Sequence, residues 1–141
     1  GCGIYIGSTG VLTMKNCTIT DCNATISGGG LYIATNGSAN LNGCTISKNT
    51  AKNGGGIYIQ KGSVALTDCA ITENTAKDNS PSSKGGGIYL NSGTLTTRNC
   101  TINGNVTKND STETSGNGSQ IYAVTDSVYN GETFAADKVI D

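Results

Sequence analysis

Histidine and tryptophan are absent from this chain of 141 residues, and phenylalanine, methionine and proline occur once each. Charged residues make up only 13% of it, with a formal net charge of −1 and a single arginine, Arg98. The lack of histidine removes the commonest general base and a common zinc ligand, and the near-zero charge gives no attraction to nucleic acid. No apolar run is long enough to cross a membrane. We therefore expect no nucleic-acid partner, no cofactor and no direct membrane insertion.

Large side chains are scarce, whereas glycine is abundant. Hydrophobic residues account for 35% of the chain and aromatic residues for 5%, while 21 of the 141 residues are glycine. A single compact core would be poor in bulky side chains at this composition, whereas the narrow core of an elongated repeat protein needs few of them. The composition therefore favours a solenoid over a globule.

The glycines are concentrated in a repeat. Three near-identical segments and one variant recur along the chain: Gly28-Gly29-Gly30-Leu31-Tyr32-Ile33, Gly54-Gly55-Gly56-Ile57-Tyr58-Ile59, Gly85-Gly86-Gly87-Ile88-Tyr89-Leu90 and Gly1-Cys2-Gly3-Ile4-Tyr5-Ile6. Each is followed by a cysteine segment, namely Cys17-Thr18-Ile19, Cys44-Thr45-Ile46, Cys69-Ala70-Ile71 or Cys100-Thr101-Ile102. Units of this length cannot bury an apolar face alone and must stack on their neighbours.

The spacing within the repeat indicates which solenoid forms. Each repeat tyrosine precedes its cysteine by 11 or 12 residues, so almost all variation in the length of the unit lies after the cysteine. Each unit contains three short segments that are rich in β-branched residues and bounded by Gly, Asn and Ser, which favours strands. We predict an all-β fold, a right-handed parallel β-helix of about five coils with three strands per coil. Residues 1–122 would form the repeats, and residues 123–141 an atypical last coil, a cap with a turn of helix at 134–140, or the start of another module.

Every predicted strand has an inward and an outward face, because successive side chains point to opposite sides. In the third coil the side chains expected inside are Ile57, Ile59, Leu66, Cys69 and Ile71. The cysteines that share the position of Cys69 in the other coils are Cys17, Cys44 and Cys100. We expect these four thiols to be free and to pack as small hydrophobes. Metal binding is not expected, since no Cys-x2-Cys pair occurs.

Two motifs belong to corners of the coil. Glycine triplets suit positions where φ is positive or where backbones approach closely. Asn49, Asn74 and Asn105 each follow a repeat isoleucine by three residues, which predicts left-handed corners with amides hydrogen-bonded along the axis. Cys2 and Cys22 also fall at turns of the first coil. The sequence is compatible with a disulfide between them and equally with two separate thiols.

The combination of Gly-Gly-Gly-Ile/Leu with Ile-x-x-Asn resembles the repeat of the chlamydial polymorphic outer membrane proteins, whose motifs are Gly-Gly-Ala-Ile and Phe-x-x-Asn. More broadly it resembles bacterial surface proteins built from parallel β-helix repeats. This chain has Gly for Ala and Ile for Phe. The resemblance covers residues 1 to 122 and implies a structural or adhesive, non-catalytic segment that is extracellular or exposed on a bacterial surface. Its partner would be a surface protein or glycan of a host or a neighbouring cell.

The chain starts within a repeat and has no signal peptide, which we interpret as a segment of a longer exported protein. Since the end of a solenoid is an unpaired strand edge, end-to-end self-association is a further expectation.

Two surfaces are candidates for binding. The first consists of the insertions at residues 74–84 and 105–117, which lie at the same corner of adjacent coils and carry Lys77, Asp78, Asn79, Ser80, Lys84, Lys108, Asn109, Asp110 and Glu113. Variable loops on a rigid scaffold are common recognition sites, although plain tolerated insertions fit equally well. The second choice is an outward tyrosine row formed by Tyr5, Tyr32, Tyr58, Tyr89 and Tyr122. That row could equally serve to cover its own sheet.

Two other functions are open. A carbohydrate-binding or polysaccharide-degrading β-helix similar to pectate lyases would need clustered carboxylates, calcium-binding aspartates or an arginine base, whereas Asp68 and Arg98 are isolated in the sequence. An ice-binding solenoid is the more remote alternative. It rests on outward residues of the cysteine strands such as Thr18 and Thr20, in an array that is degenerate in the later coils.

Overall fold

The computed structural model describes residues 3–78, 82–109, 112–113, 120–124, 126–133 and 138–140. In these residues the backbone forms a coil whose strands recur at the same positions and assemble into four sheets. The tyrosine sheet contains β1 (Ile4–Ile6), β4 (Leu31–Ile33), β8 (Ile57–Ile59), β12 (Ile88–Leu90), β17 (Ile121–Ala123) and β20 (Lys138–Ile140). The leucine sheet contains β2 (Val11–Lys15), β5 (Ser38–Asn42), β9 (Gly62–Thr67), β13 (Gly93–Arg98), β18 (Val128–Tyr129) and β19 (Glu132–Thr133).

Two smaller sheets complete each coil. The cysteine sheet contains β3 (Thr18–Thr20), β6 (Thr45–Ser47), β10 (Ala70–Thr72) and β14 (Thr101–Asn103), each directly after a repeat cysteine. The insertion sheet contains β7 (Thr50–Ala51), β11 (Thr75–Asp78), β15 (Val106–Asn109) and β16 (Thr112–Glu113). The prediction of three strands per coil missed this fourth sheet, because its strands lie in segments that the sequence suggested were loops.

The strands pair in parallel with their counterparts one coil away. Tyr58 lies opposite Tyr32 and Tyr89, and Leu66 lies opposite Leu41 and Thr97. Four coils follow one another in this way, and β17 and β18 begin a fifth. The prediction of a parallel β-helix is therefore confirmed, and the repeat tyrosines stack in register.

The end of the described chain departs from parallel pairing. β18 pairs with β19 and β17 pairs with β20 in antiparallel fashion. Residues 138–140 are thus a strand and not the turn of helix expected there, while residues 134–137 lie outside the described part.

The core is a narrow column of aliphatic side chains. The five residues predicted inside the third coil are all buried, with at most 3% exposure: Ile57, Ile59, Leu66, Cys69 and Ile71. The first coil has a neighbour on one side only among the described residues. Cys17, predicted to point inward, is therefore exposed, whereas Cys44 in the next coil is 1% exposed.

A ladder of buried amides runs along one corner of the coils. The Asn74 Oδ1 accepts hydrogen bonds of 3.0 Å from the backbone N and the Nδ2 of Asn49. Its Nδ2 donates to the Ile46 carbonyl at 2.9 Å and to the Asn105 Oδ1 at 3.0 Å. Asn49 and Asn105 repeat the pattern, and Asn49, Asn74 and Asn105 are at most 1% exposed. The predicted amide stacking is confirmed, and each ladder asparagine ties its coil to both neighbours.

The left-handed conformation lies one residue earlier than predicted. Lys48 and Glu73, which precede ladder asparagines, each have φ of +56°, and Gly104 has +64°. The asparagines themselves are not among the residues with positive φ. The preceding residue makes the turn, because this leaves the asparagine side chain directed into the interior.

The ladder explains why a glycine triplet accompanies each asparagine. Gly54, the first glycine of its triplet, has φ of +61°. A Cβ on Gly56, the third, would lie 3.0 Å from the Asn74 Nδ2, closer than side chains normally approach. The corresponding distance from Gly87 to the Asn105 Nδ2 is 2.8 Å. The third glycine therefore provides the space that the asparagine occupies.

Replacing Asn74 with alanine should destabilise the fold by roughly 3 to 6 kcal/mol, since each buried polar group left without a partner costs about 1 to 3 kcal/mol. Chemical denaturation followed by circular dichroism measures the loss. Asn40→Ala on the exposed face of β5 is the matched control and should change stability by less than about 0.5 kcal/mol. A loss at Asn74 no greater than at Asn40 would contradict the role of the ladder.

Candidate functional site

The five repeat tyrosines form a continuous stack on the outside of the tyrosine sheet. Neighbouring ring centroids lie 5.1 to 5.4 Å apart with interplanar angles of 6° to 19°, along the series Tyr5, Tyr32, Tyr58, Tyr89 and Tyr122. Because each ring covers the faces of its neighbours, the inner members present ring edges and hydroxyls outward. Face-to-face stacking on a sugar is therefore unavailable at Tyr32, Tyr58 and Tyr89.

The two ends of the stack differ. Tyr5 is 62% exposed, whereas Tyr122, predicted to point outward into solvent, is only 6% exposed. Lys84 covers it, since the Lys84 Nζ donates to the Tyr122 Oη at 2.7 Å and lies 4.3 Å from the ring centroid. Lys84 thus contacts the tyrosine row, although the sequence placed it in the insertion surface.

Burial favours the neutral form of two of the stacked phenols, Tyr58 and Tyr32. It raises the pKa of Tyr58 to about 12, with a further contribution from the neighbouring Tyr89 and Tyr32 hydroxyls. The pKa of Tyr32 is also raised, by burial first and by Tyr5 second, and its hydroxyl donates to the Gln60 Oε1 at 3.0 Å. These two phenols consequently contribute an uncharged, semi-apolar edge to the row.

The insertions begin side by side, as the sequence predicted, but as strands. In the parallel pairing of β11 with β15, Lys77 lies opposite Lys108 and Asp78 opposite Asn109. The antiparallel strand β16 then returns so that Glu113 lies opposite Lys108. Asn79, Ser80 and Asp110 lie outside the described residues. The structure therefore brings together Lys77, Asp78, Lys108, Asn109 and Glu113 from the predicted set.

The insertion sheet borders a polar groove of about 550 Å³. Its lining consists of Asn23, Ala24, Thr25, Thr50, Ala51, Thr75, Lys77, Asp78 and Lys108. Asp78 forms an ion pair with Lys52 at 2.7 Å. We call this surface the lysine groove.

Several lysine-groove residues were missed from the sequence. Thr50 and Thr75, which line the groove, lie in short segments that follow ladder asparagines, as does Lys52, which pairs with the lining Asp78. A signal for them existed, because Asn49-Thr50-Ala51-Lys52 and Asn74-Thr75-Ala76-Lys77 are identical, and residues 105–108 also end in lysine. Asn23 and Thr25 carry no such signal, since coil folding alone places them beside β7.

The structure shows how the carboxylate and arginine considered for catalysis are placed. The Asp68 Oδ1 accepts a hydrogen bond of 3.2 Å from the Asn99 Nδ2, and the exposed Arg98 precedes Asn99. Asp68 has φ of +51°, so its position is a turn in the coil. In the described part of the chain no three His, Cys, Asp or Glu residues are grouped to hold a metal ion.

The predicted thiols line the cysteine corner. Each donates to the carbonyl two residues earlier, at 3.1 Å for Cys69 and 3.4 Å for Cys44, and burial raises the pKa of the Cys69 thiol. The backbone N of Cys22 donates to the Asn49 Oδ1 at 3.0 Å, so Cys22 occupies the ladder position of the first coil. Cys2 lies outside the described residues, and its disulfide with Cys22 stays a prediction.

The outward residues of the cysteine sheet form the threonine array considered for ice binding. Thr18 and Thr20 are exposed, and the Thr20 hydroxyl contacts Ser47 and Asp21 at 3.4 and 3.0 Å. Serine, alanine and asparagine stand at the equivalent positions of later coils, so the array is irregular.

Stacked parallel coils with a continuous amide ladder define a β-solenoid scaffold. Residues 1–131 match the family model described as a right-handed β-helix region. The chain therefore belongs to the right-handed β-helix family, which confirms the predicted fold class. Comparisons with curated proteins and with solved structures found no match. No helix in the described part is both long and apolar enough to cross a membrane.

Thiol titration should distinguish the cysteines by depth. Without reductant, the denatured chain should react at four or more thiols, from Cys17, Cys44, Cys69 and Cys100. In the native state Cys17 should react quickly, whereas Cys44 and Cys69 should react only on unfolding, because they are 1% and 3% exposed. Rapid native labelling of Cys69 would contradict the packing, and fewer than four thiols in the denatured chain would indicate disulfides between coils.

Alkaline pH should weaken the fold through Tyr58. Since its pKa is raised from 10.0 to about 12, its contribution to stability is complete below pH 10 and is lost between pH 10 and about 12. The free energy of unfolding, measured across this range, should decline less in Tyr58→Phe than in the parent chain. The two proteins should match near neutral pH, where both rings are uncharged, and an identical alkaline decline would show that Tyr58 is not responsible.

Proposed function

We propose that this chain is a non-catalytic structural and adhesive segment of a β-helix protein that is secreted or displayed on a bacterial surface. The observation that carries the proposal is the pairing of β11 with β15, which places insertions from adjacent coils side by side above the lysine groove. The resemblance to chlamydial polymorphic outer membrane protein repeats supports the surface location.

The scaffold tolerates insertions because of where they start and finish. Each begins just after a ladder asparagine and ends at the glycine triplet or its equivalent. The register on either side is held by hydrogen bonds between coils, such as those of Asn74 to Asn49 and Asn105. The paired strands at the start of each insertion contribute the buried Ala76 and Thr107, whereas residues beyond these strands can vary in number and chemistry without disturbing the core. Such an arrangement suits recognition.

The proposed partner is a surface protein or glycan of a host or neighbouring cell. The lysine groove offers threonine hydroxyls, an asparagine amide, lysine ammonium groups and one carboxylate. The neutral edge of the tyrosine row is the second candidate contact surface. End-to-end self-association stays a prediction.

Polysaccharide cleavage is the alternative function. It would require an acid and a base on opposite sides of a bound sugar or a metal-assisted base. Asp78, the carboxylate in the lysine groove, is held by Lys52, which favours a binding role for this surface.

Removing residues 78–83 and 109–116 should abolish partner binding while leaving the thermal melt nearly unchanged. The deletions leave connections as long as the one from Asn49 to Gly54 and preserve the ladder asparagines and glycine corners. Binding to glycan arrays and to intact cells is the measurement. The triple variant Tyr32→Ser, Tyr58→Ser and Tyr89→Ser tests the alternative surface.

Binding that survives the deletions but is lost in the tyrosine variant would move the site to the tyrosine row. Polyuronides should also be tested as substrates, with and without calcium. Turnover would contradict the non-catalytic proposal if it disappears on changing Asp68, Asp78 or Arg98.

A further inference from the structure

Three lysines recur at one position of successive coils. Lys52, Lys77 and Lys108 each follow a ladder asparagine by three residues. Lys77 and Lys108 are register partners, and Lys52 follows Ala51, which is the partner of Ala76. The ladder therefore aligns these lysines in a column parallel to the solenoid axis.

The column faces outward at the lysine groove. Ala51, Ala76 and Thr107, which immediately precede the lysines, are at most 1% exposed and point into the coil. Because side chains alternate along a strand, the residues on either side of them point outward. Thr50 and Thr75 occupy the other outward position, so hydroxyls and ammonium groups line one surface.

The electrostatics of this column favour an anion. Equivalent residues of adjacent coils lie about 4.8 Å apart, and like charges directly opposite one another destabilise a sheet. Asp78, the carboxylate in the described lining, is bound to Lys52 at 2.7 Å. Lys77 is exposed and forms no ion pair or hydrogen bond within the described part of the chain. Lys108 lies opposite Glu113 in the antiparallel pairing of β15 with β16, so a ligand oxyanion beside Lys77 would supply the opposite charge that Lys77 lacks within the described residues.

Uncharged donors accompany the lysines. Within the described residues, the hydroxyls of Thr50 and Thr75 and the side-chain amide of Asn23 make no hydrogen bond, and all three residues line the groove. A hydroxyl or amide beside an ammonium group can donate to a second oxygen of the same anion or to a sugar hydroxyl. Thr50 and Thr75 lie on paired strands that hold their hydroxyls in place without the ligand, so ordering them costs little on binding.

The geometry points to an acidic glycan as the ligand of the lysine groove, bound through its carboxylate or sulfate groups at Lys77 and Lys108. A polymer is favoured over a single small anion because the register partners Lys77 and Lys108, and likewise Thr50 and Thr75, repeat along the axis at the spacing of the coils. The inference rests on the proposed adhesive function and specifies the chemistry of its partner.

The test uses the whole chain and three immobilised probes: heparin as a sulfated glycan, polygalacturonate as a carboxylated glycan and dextran as a neutral one. Lys77→Gln with Lys108→Gln should raise the dissociation constant for an acidic probe about tenfold or more, as expected for lost charge-assisted hydrogen bonds. The control pair Lys15→Gln with Lys61→Gln removes the same charge from exposed positions elsewhere and should change it by less than about twofold. Thr75→Val should weaken binding severalfold without altering the thermal melt.

The outcomes separate this inference from the proposed function. Preference for heparin identifies sulfate as the bound group, and preference for polygalacturonate identifies carboxylate; either supports the inference. Equal losses in the two lysine pairs would reveal unspecific charge attraction and overturn it, as would failure of both acidic probes to bind. The ligand could instead be a neutral glycan or a protein. If that binding is lost on deleting residues 78–83 and 109–116 but does not change in the Lys77 and Lys108 variant, only the acidic-glycan inference is overturned. The deletions retain both lysines. If binding of an acidic probe survives the deletions but is lost in the lysine variant, the inference is supported and the role of the insertions is contradicted.

Discussion

Each ladder asparagine bonds the backbone and the side chain of neighbouring coils at once, and the register of the β-helix depends on this contact. The Asn74 amide uses both its oxygen and its nitrogen, with four hydrogen bonds to Asn49, Ile46 and Asn105. Buried polar groups are stable only when their hydrogen-bonding capacity is satisfied. A coil displaced by one residue would leave several of these groups unpaired, so the ladder selects a single stacking register.

The ladder also determines what can surround it. The third glycine of each triplet must lack a side chain where the amide lies, and the residue before each asparagine must turn with positive φ. At the far end Gln120 replaces that third glycine. Its Oε1 accepts from the Asn105 Nδ2 at 2.8 Å, and its Nε2 donates to the Asn105 carbonyl at 3.2 Å. A longer amide side chain from the next corner thus completes the ladder where no further asparagine follows.

The two candidate surfaces are consequences of the same stacking. Because the coils stack in register, every repeat tyrosine packs against its neighbours. This packing covers the ring faces and leaves the hydroxyls and ring edges exposed. The residues just after the ladder asparagines become the insertion sheet, where identical positions carry lysine. Stacking equivalent isoleucines or tyrosines of adjacent coils does not destabilise the sheet, whereas stacking equivalent lysines concentrates positive charge. This difference makes the lysine groove the more distinctive surface of the molecule.

Much of this protein was determined by its sequence alone. The repeat period, the inward set around Ile57 and Cys69, and the tyrosine register follow from patterning, because identical units can stack only with equivalent residues in contact. The fourth sheet, the turn residue before each asparagine, the burial of Tyr122 and the contact of Lys84 with it were decided by tertiary structure. So was the lysine groove, since it needs Asn23 and Thr25 of one coil beside Thr50, Lys77 and Lys108 of others. Local propensity describes one coil at a time, whereas these features exist only between coils, where hydrogen bonds and charges meet across about 30 residues of sequence.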